Sequence, residues 1–405
     1  MVHGALCLAR LDDETSLFVD GALPGERLVV ELHHSKGRVW FARAVQTEQA
    51  SPHRVSAPCP YYGECGGCQL QHVGDAYQLD LKLAIVRDAM RRQQVALPDD
   101  VAVHGMDDPW RYRWRGEFHV VPGAAGMDDA RFGFNRLRSW RPVAIDDCLI
   151  HHPRITGSLP ALRELVRDAG EPGLTALHLT VGEDGEELLL RPRPAQAVPA
   201  AAVDAHALAT DARWSTTSTT LSWRGHSFRV TPDTFIQVNW GQVEVLYGAA
   251  LRGLGDVAGR QVVDAYAGIG VLACELASLG ASVVCIENNR DSARVGVLNT
   301  EMNGCADRVR YVAEAVEDAL PNAGARADAV LLDPPRSGCD ARVTAWLALA
   351  GPASVVYVSC DPATMARDLR LLTVSGPYRM ERFELVDMFP QTHHIECVAT
   401  LRREA

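Results

Sequence analysis

From residue 231 onward, short apolar and β-branched runs alternate with longer amphipathic segments. Residues 261–265, 282–286, 308–312, 329–332 and 354–358 read as buried parallel strands separated by helices. That alternation predicts a doubly wound, Rossmann-like α/β sheet over residues 231–405. Two more runs, 383–388 and 396–401, predict a closing strand pair. After the last parallel strand, Asp361-Pro362 supplies an N-cap and a first-turn proline for a helix over about 363–372.

The pattern before residue 231 is different. Residues 1–50 give short strands at 4–10, 17–19, 26–32 and 38–45. These break at Asp12-Asp13, Leu23-Pro24-Gly25 and Ser35-Lys36-Gly37, which predicts a small β-barrel. Ser51-Pro52 and Ala57-Pro58 read as a linker. A helix is predicted over 75–93 with Leu79, Leu83, Val86 and Met90 as its core stripe. A second helix (155–169), strands near 174–181, 187–191, 215–223 and 227–230, and a Pro/Ala-rich loop at 192–202 complete a central α+β unit over 51–230.

Composition narrows the class. The chain has 405 residues, 47% hydrophobic and 22% charged, as expected of a soluble protein of two or three domains. No run reaches the length of a membrane span, and Met1-Val2-His3-Gly4 does not open a signal peptide. The expected setting is the cytoplasm, as a monomer. Eleven cysteines, an odd number, favour reduced thiols, a metal site and catalysis over a disulfide framework. A net charge of −11 argues against generic polyanion binding, so any nucleic-acid surface has to be local.

Several segments carry chemistry. Cys59, Cys65 and Cys68 cluster around Gly66-Gly67, whose backbone can approach an inorganic centre closely. Cys148 is the first candidate for a fourth ligand and His72 its rival; the spacing suits zinc and an iron–sulfur cluster equally. Between residues 110 and 141, seven arginines against three acids form a positive island rich in aromatics. Its Trp110-Arg111-Tyr112-Arg113-Trp114-Arg115 run alternates at strand period, so one face is expected to present arginines to phosphates and unstacked bases. The first parallel strand ends in Asp264-Ala265-Tyr266-Ala267-Gly268-Ile269-Gly270 and the second in Glu287. A tight glycine turn with a ribose-binding acid fits S-adenosylmethionine better than a nicotinamide, because the third glycine is missing. Asp333-Pro334-Pro335 holds an acid rigidly at the same edge. Cys360 falls where a strand meets a helix N-terminus, which is expected to favour its thiolate. The bland alternative is a small buried hydrophobe. Glu396 opens the final strand.

Together these motifs resemble the S-adenosylmethionine-dependent RNA 5-methyluridine methyltransferases, in their iron–sulfur-containing branch. The resemblance runs through the amino-terminal barrel (similar to a TRAM domain), the cysteine cluster, Thr231-Pro232-Asp233-Thr234-Phe235-Ile236-Gln237-Val238-Asn239, the glycine turn, Asp333-Pro334-Pro335-Arg336, Ser359-Cys360-Asp361-Pro362 and His394-Ile395-Glu396. It implies Cys360 as nucleophile and Glu396 as base. It also implies Gln237, Tyr266, Gly268, Gly270, Glu287 and Asp333 around the cofactor, and a [4Fe–4S] cluster on Cys59, Cys65, Cys68 and Cys148, with zinc the lesser alternative. The partner it implies is RNA, ribosomal rather than transfer RNA. One departure is Val271, where the family commonly has Asn; the residue after the third strand, Glu314 or Ala315, has no settled counterpart. A radical S-adenosylmethionine enzyme would leave the glycine turn and Asp333 unexplained. An amino-group methyltransferase would not need Cys360, and a degenerate RNA-binding module would not bind the cofactor.

Overall fold

The computed structural model describes residues 1–10, 15–169, 173–210 and 212–404. Strands β1 (Cys7–Arg10), β2 (Ser16–Asp20), β3 (Arg27–Lys36) and β4 (Val39–Gln49) form a sheet in the order β1-β2-β4-β3. Cys7, Leu17, Val19 and Ala42 point to one side with Ala22 and make a small core of their own. This is the expected amino-terminal β-unit, although the predicted break at Asp12-Asp13 lies outside the described residues.

Helix α1 (Asp75–Arg92) buries Gln78, Leu81, Lys82, Ile85, Val86 and Met90. The face is therefore rotated from the predicted Leu79, Leu83, Val86, Met90 stripe. The cause is two polar residues with buried partners. Lys82 Nζ donates to Asp387 Oδ1 at 2.7 Å and to the Phe389 carbonyl at 3.0 Å. Gln78 exchanges hydrogen bonds with Gln391. A search for apolar periodicity counts both residues as solvent-facing.

The short β5 (Ala102–His104) leads into the central sheet. That sheet is built from β6 (Arg115–Gly123), β7 (Gly126–Asn135), β8 (Pro142–Ile145), β9 (Ala176–Val181), β10 (Leu188–Arg193) and β11 (Trp214–Ser215) in the order β11-β10-β9-β6-β7-β8. Helix α2 (Pro153–Ala169) covers it through Ile155 and Leu159, which pack with Phe118, Phe132 and Leu177. Helix α3 (Ala200–Thr210) starts inside the predicted loop, because Ala200–Ala202 are the strongest helix formers and follow the last proline. The hairpin β12 (Thr219–Trp223) and β13 (His226–Val230) sends Leu221, Trp223, Phe228 and Val230 into the core of the following domain.

That domain runs α4 (Val243–Leu254), β14 (Gln261–Ala265), α5 (Val271–Ser278), β15 (Ser282–Ile286), α6 (Arg290–Met302), β16 (Val309–Val312), α7 (Val316–Ala323), β17 (Ala329–Leu332), α8 (Ala341–Ala350), β18 (Ser354–Ser359), α9 (Pro362–Leu369), β19 (Tyr378–Val386) and β20 (Glu396–Arg403). The sheet order is β16-β15-β14-β17-β18-β20-β19-β5, parallel from β16 to β18 and antiparallel at β20. The predicted strands lie where the alternation put them. β5, from the central segment, adds to the far edge parallel to β19. Strand order reverses between β14 and β17, which opens the crevice where ligands of such sheets bind. No helix among the described residues is long and apolar enough to cross a membrane.

Candidate active site

The glycine turn follows β14. Tyr266, Gly268 and Gly270 all take positive φ, at 68°, 54° and 83°. A Cβ on Gly270 would stand 2.5 Å from the Tyr311 hydroxyl, so this position of the turn is closed to a side chain unless Tyr311 shifts. Above it lies a pocket walled by Gln237, Tyr247, Asp264, Gly268, Val271 and Asp333. Tyr266 lines it too, but its phenol interacts with the buried Cys339. Glu287 is not part of the pocket wall. Its carboxylate accepts from the Gly268 amide at 2.9 Å and the Asn289 amide at 2.7 Å, and so braces the turn. Asp264 is buried, and that burial, reinforced by Asp333 and Glu287, pushes its carboxyl up to about 8. Val271 is an apolar wall residue, at the position where the resemblance gave Asn as the common residue.

Strand register brings the second group together. Ala265 is opposite Leu332, Leu332 opposite Tyr357, and Ser359 opposite Cys397. The residues at those strand ends (Tyr266, Asp333, Cys360 and Glu396) therefore gather along one edge of the sheet. Cys360 is half-buried, whereas Cys274, Cys285, Cys305, Cys339 and Cys397 are buried. Burial pushes the Cys360 thiol up to about 12, with Glu396 and Asp333 adding to the rise and Arg336 opposing it. This corrects the expectation of a helix-stabilised thiolate. Asp361 Oδ1 accepts the Ala363 and Thr364 amides at 2.9 Å each, so α9 spends its free N–H groups on its own cap. Glu396 is buried, and burial, then Asp333, raises its carboxyl well above the usual range against the pull of Arg336. Arg336 Nη2 donates to His394 Nδ1 at 3.3 Å.

The cysteines form a separate site. Cys59, Cys65, Cys68 and Cys148 line one cavity of about 280 Å³ with Arg113 and His151. His72, the rival fourth ligand, does not line it and instead hydrogen-bonds Tyr62. The Gly67 amide donates to Cys65 Sγ at 3.4 Å, and His151 Nδ1 lies 3.1 Å from Cys148 Sγ. His151 Nε2 is buried without a partner. Burial raises the Cys68 thiol to about 12 and the Cys148 thiol to about 11. Among the described residues no three His, Cys, Asp or Glu side chains draw close enough to hold a metal ion as they stand.

The arginine island divides in two. The 110–115 run is not a strand with an arginine face. Arg111 has φ 55° and pairs with Asp147 at 2.6 Å. Arg113 faces the cysteine cavity, and Arg115 is buried against Thr180 Oγ1 at 2.7 Å and the Thr231 and Thr234 carbonyls. Arg111 and Arg115 each anchor a loop, which alternation alone does not reveal. The later half stays on the surface: Trp140 is 92% exposed beside Arg138 and Arg141, with Arg138 paired to Asp20 of β2 at 3.0 Å. Sequence reasoning gave no role to Asp264, Tyr247, Arg336 or His394. Of these, Asp264, Arg336 and His394 stood inside quoted motifs, whereas Tyr247 carried no signal on its helix.

The chain was compared with known proteins. The sequence profile of the tRNA (Uracil-5-)-methyltransferase family matches residues 208–404. An uncharacterized RNA methyltransferase of Gloeobacter violaceus is 36% identical over 98% of this chain and 93% of its own length. The 23S rRNA (uracil(1939)-C(5))-methyltransferase of Aromatoleum aromaticum is 32% identical over 99% of this chain and 98% of its own length. The fold superposes on the Pyrococcus abyssi tRNA (uracil-54, C5)-methyltransferase solved with S-adenosyl-L-homocysteine at a TM-score of 0.73, with 22% identity over 98% of this chain and 100% of that one. With its glycine-turn pocket and accessible cysteine at one sheet edge, the chain belongs to the tRNA (uracil-5-)-methyltransferase family, S-adenosylmethionine-dependent enzymes that methylate C5 of uracil in RNA.

Proposed function

We propose that this protein methylates C5 of a uridine in ribosomal RNA, with Cys360 as nucleophile and Glu396 as base. The observation that carries this reading is that Cys360 alone among the described cysteines of residues 231–405 escapes burial, and it does so beside Asp333, Arg336 and Glu396. C5 of uracil is a weak nucleophile. Addition of the Cys360 thiolate to C6 breaks the C5–C6 π bond and places its electron pair in an enolate that is nucleophilic at C5. S-adenosylmethionine, held by Gln237, Tyr266, Gly268, Gly270 and Asp333 with Glu287 bracing the turn, supplies the electrophilic methyl group and a positive charge that favours the ionised forms of Cys360 and Glu396. C5 then carries both methyl and hydrogen. The Glu396 carboxylate takes that proton, the electron pair re-forms the C5–C6 double bond, and Cys360 leaves as thiolate. Arg336 is the protein's own counter-charge to both groups. A paired base cannot reach this edge, so the uridine enters unstacked.

The ribosomal target is supported by the relative named for 23S rRNA, similar along nearly its whole length. The barrel over residues 1–50 and the exposed Trp140 surface are the proposed RNA-holding surfaces, the central 51–230 unit carries the cysteines, and 231–405 performs transfer. The four-cysteine site suits a [4Fe–4S] cluster better than zinc. Zinc draws sulfurs to about 2.3 Å, which leaves almost no void, whereas these thiols surround about 280 Å³. Such a cluster would need all four thiols deprotonated and would supply the positive charge that offsets their burial.

The test is nucleoside mass spectrometry with site mapping on ribosomal and transfer RNA from a strain lacking the gene. One 5-methyluridine should vanish from 23S rRNA and return with the wild-type gene but not with Cys360→Ala. Restoration by Cys360→Ala refutes the assignment of the nucleophile.

A further inference from the structure

The loop that delivers Glu396, residues 387–395, is fastened from two sides: Asn239 Nδ2 of the transferase domain donates to the Met388 carbonyl at 3.1 Å, and the cysteine-bearing segment supplies a larger set of bonds. The Gln69 and Leu70 amides, next along the chain from Cys68, both donate to the Gln391 carbonyl at 3.0 Å. Tyr112 Oη donates to the Pro390 carbonyl at 2.8 Å. Lys82 and Gln78 hold Asp387, Phe389 and Gln391 as described above. Gln391 needs this support, since it takes φ 66° while 1% exposed.

Gln69 differs from the other fasteners because it reaches a ring. Its Nε2 donates to the Gly66 carbonyl at 2.6 Å, which fixes the amide so that Oε1 faces the other way. Oε1 accepts from the His393 amide at 3.3 Å and lies 2.9 Å from His393 Nδ1. An amide oxygen can only accept, so His393 carries its proton on Nδ1. The His393 ring lies 4.3 Å from that of His394, whose Nδ1 in turn accepts from Arg336. Burial pushes His394 down to about 2 and His393 to about 4, so both rings are neutral and His394 keeps the lone pair that Arg336 needs. Arg336 is the cation that acts on both Cys360 and Glu396.

We propose that Gln69 is a positioning residue, through which the Cys59–Cys68 loop sets the His393–His394 rim and hence the placement of Arg336 and Glu396. The cysteine site thereby acts on methyl transfer by geometry. This rests on the proposed roles of Cys360 and Glu396.

Gln69→Met keeps the length of the side chain and removes both of its hydrogen-bonding ends. Its kcat should fall ~10–100-fold, the range in which a displacement of about 1 Å from a distant change is felt. KM for RNA, S-adenosylmethionine affinity, bound metal and melting temperature should stay near wild type. Nitrogen NMR of ¹⁵N-histidine protein should show His393 protonated at Nδ1 in the wild type and without that preference in Gln69→Met. A Gln69→Met protein with wild-type kcat, one whose cofactor affinity falls in step with kcat, or one whose His393 keeps its proton on Nδ1 overturns the proposal. A wild-type protein that makes no 5-methyluridine sinks the proposed function instead, and leaves the His393 measurement to stand or fall separately.

Discussion

In the free protein the Cys360 thiol should be a slow nucleophile whose rate climbs with pH. Its pKa is about 12 rather than the ordinary 9.0, because burial and two carboxylates outweigh Arg336. Three pH units lower the thiolate fraction at neutral pH by about 10³. A more basic thiolate is also more reactive, with a Brønsted slope of roughly 0.45, which returns about 20-fold over the same span. The net expectation is alkylation by iodoacetamide about 40- to 50-fold slower than for an ordinary accessible cysteine at pH 7. It should rise tenfold per pH unit through pH 9, because a thiol with a raised pKa stays protonated throughout that range. Replacing Arg336 with Gln removes the opposing cation and should slow the reaction further; Glu396→Gln removes a carboxylate and should speed it. The assay is peptide-resolved mass spectrometry after timed alkylation without cofactor, with the buried Cys397 as internal reference. A rate that levels off below pH 8 would mean that the thiolate is already formed, and the electrostatic account of this edge would be wrong.

Other consequences follow from the same geometry. Glu396→Gln, which can form the C6 bond but cannot take the C5 proton, should accumulate a covalent RNA adduct that survives denaturing electrophoresis, and Cys360→Ala should give none. Lys82→Met strands Asp387 as a buried, unpaired carboxylate and should cost about 3–5 kcal/mol, a fall of about 10 °C in melting temperature by calorimetry for a cooperative unit of this size. Gly270→Ala forces a Cβ against the Tyr311 hydroxyl at positive φ, so S-adenosylmethionine affinity by titration calorimetry should weaken by about tenfold or more. Protein purified without oxygen should carry about four irons per chain, and Cys148→Ser should lose the associated absorbance while His72→Ala keeps it.

The likeness to known methyltransferases covers both ends of the chain, but the particular residues differ in how readable they were. Asp333, Cys360 and Glu396 could be named from short motifs because each stands at a strand terminus, Asp333 and Cys360 just after one strand and Glu396 at the start of another, and that edge is where a doubly wound sheet keeps its chemistry. The thiolate at Cys360 was misjudged for a local reason: the Asp361 that announces the helix also consumes its free amides. The arginines at 111 and 115 were misjudged for a long-range one, since Asp147, Thr180, Thr231 and Thr234 lie far along the chain.

By itself the sequence determined the strand set of residues 231–405, the glycine turn and the rigid Asp333 corner, because apolar periodicity and glycine or proline chemistry act within a few residues. Tertiary structure alone decided that Cys148, and not His72, lines the cavity of the three clustered cysteines, and that Lys82 and Gln78 face inward. It also decided that the loop before Glu396 is held from the cysteine segment by Gln69. Those outcomes depend on partners up to some 300 residues away in the chain, as with Lys82 and Asp387 at a separation of 305, and buried charge or amide groups become favourable only once such a partner is in place.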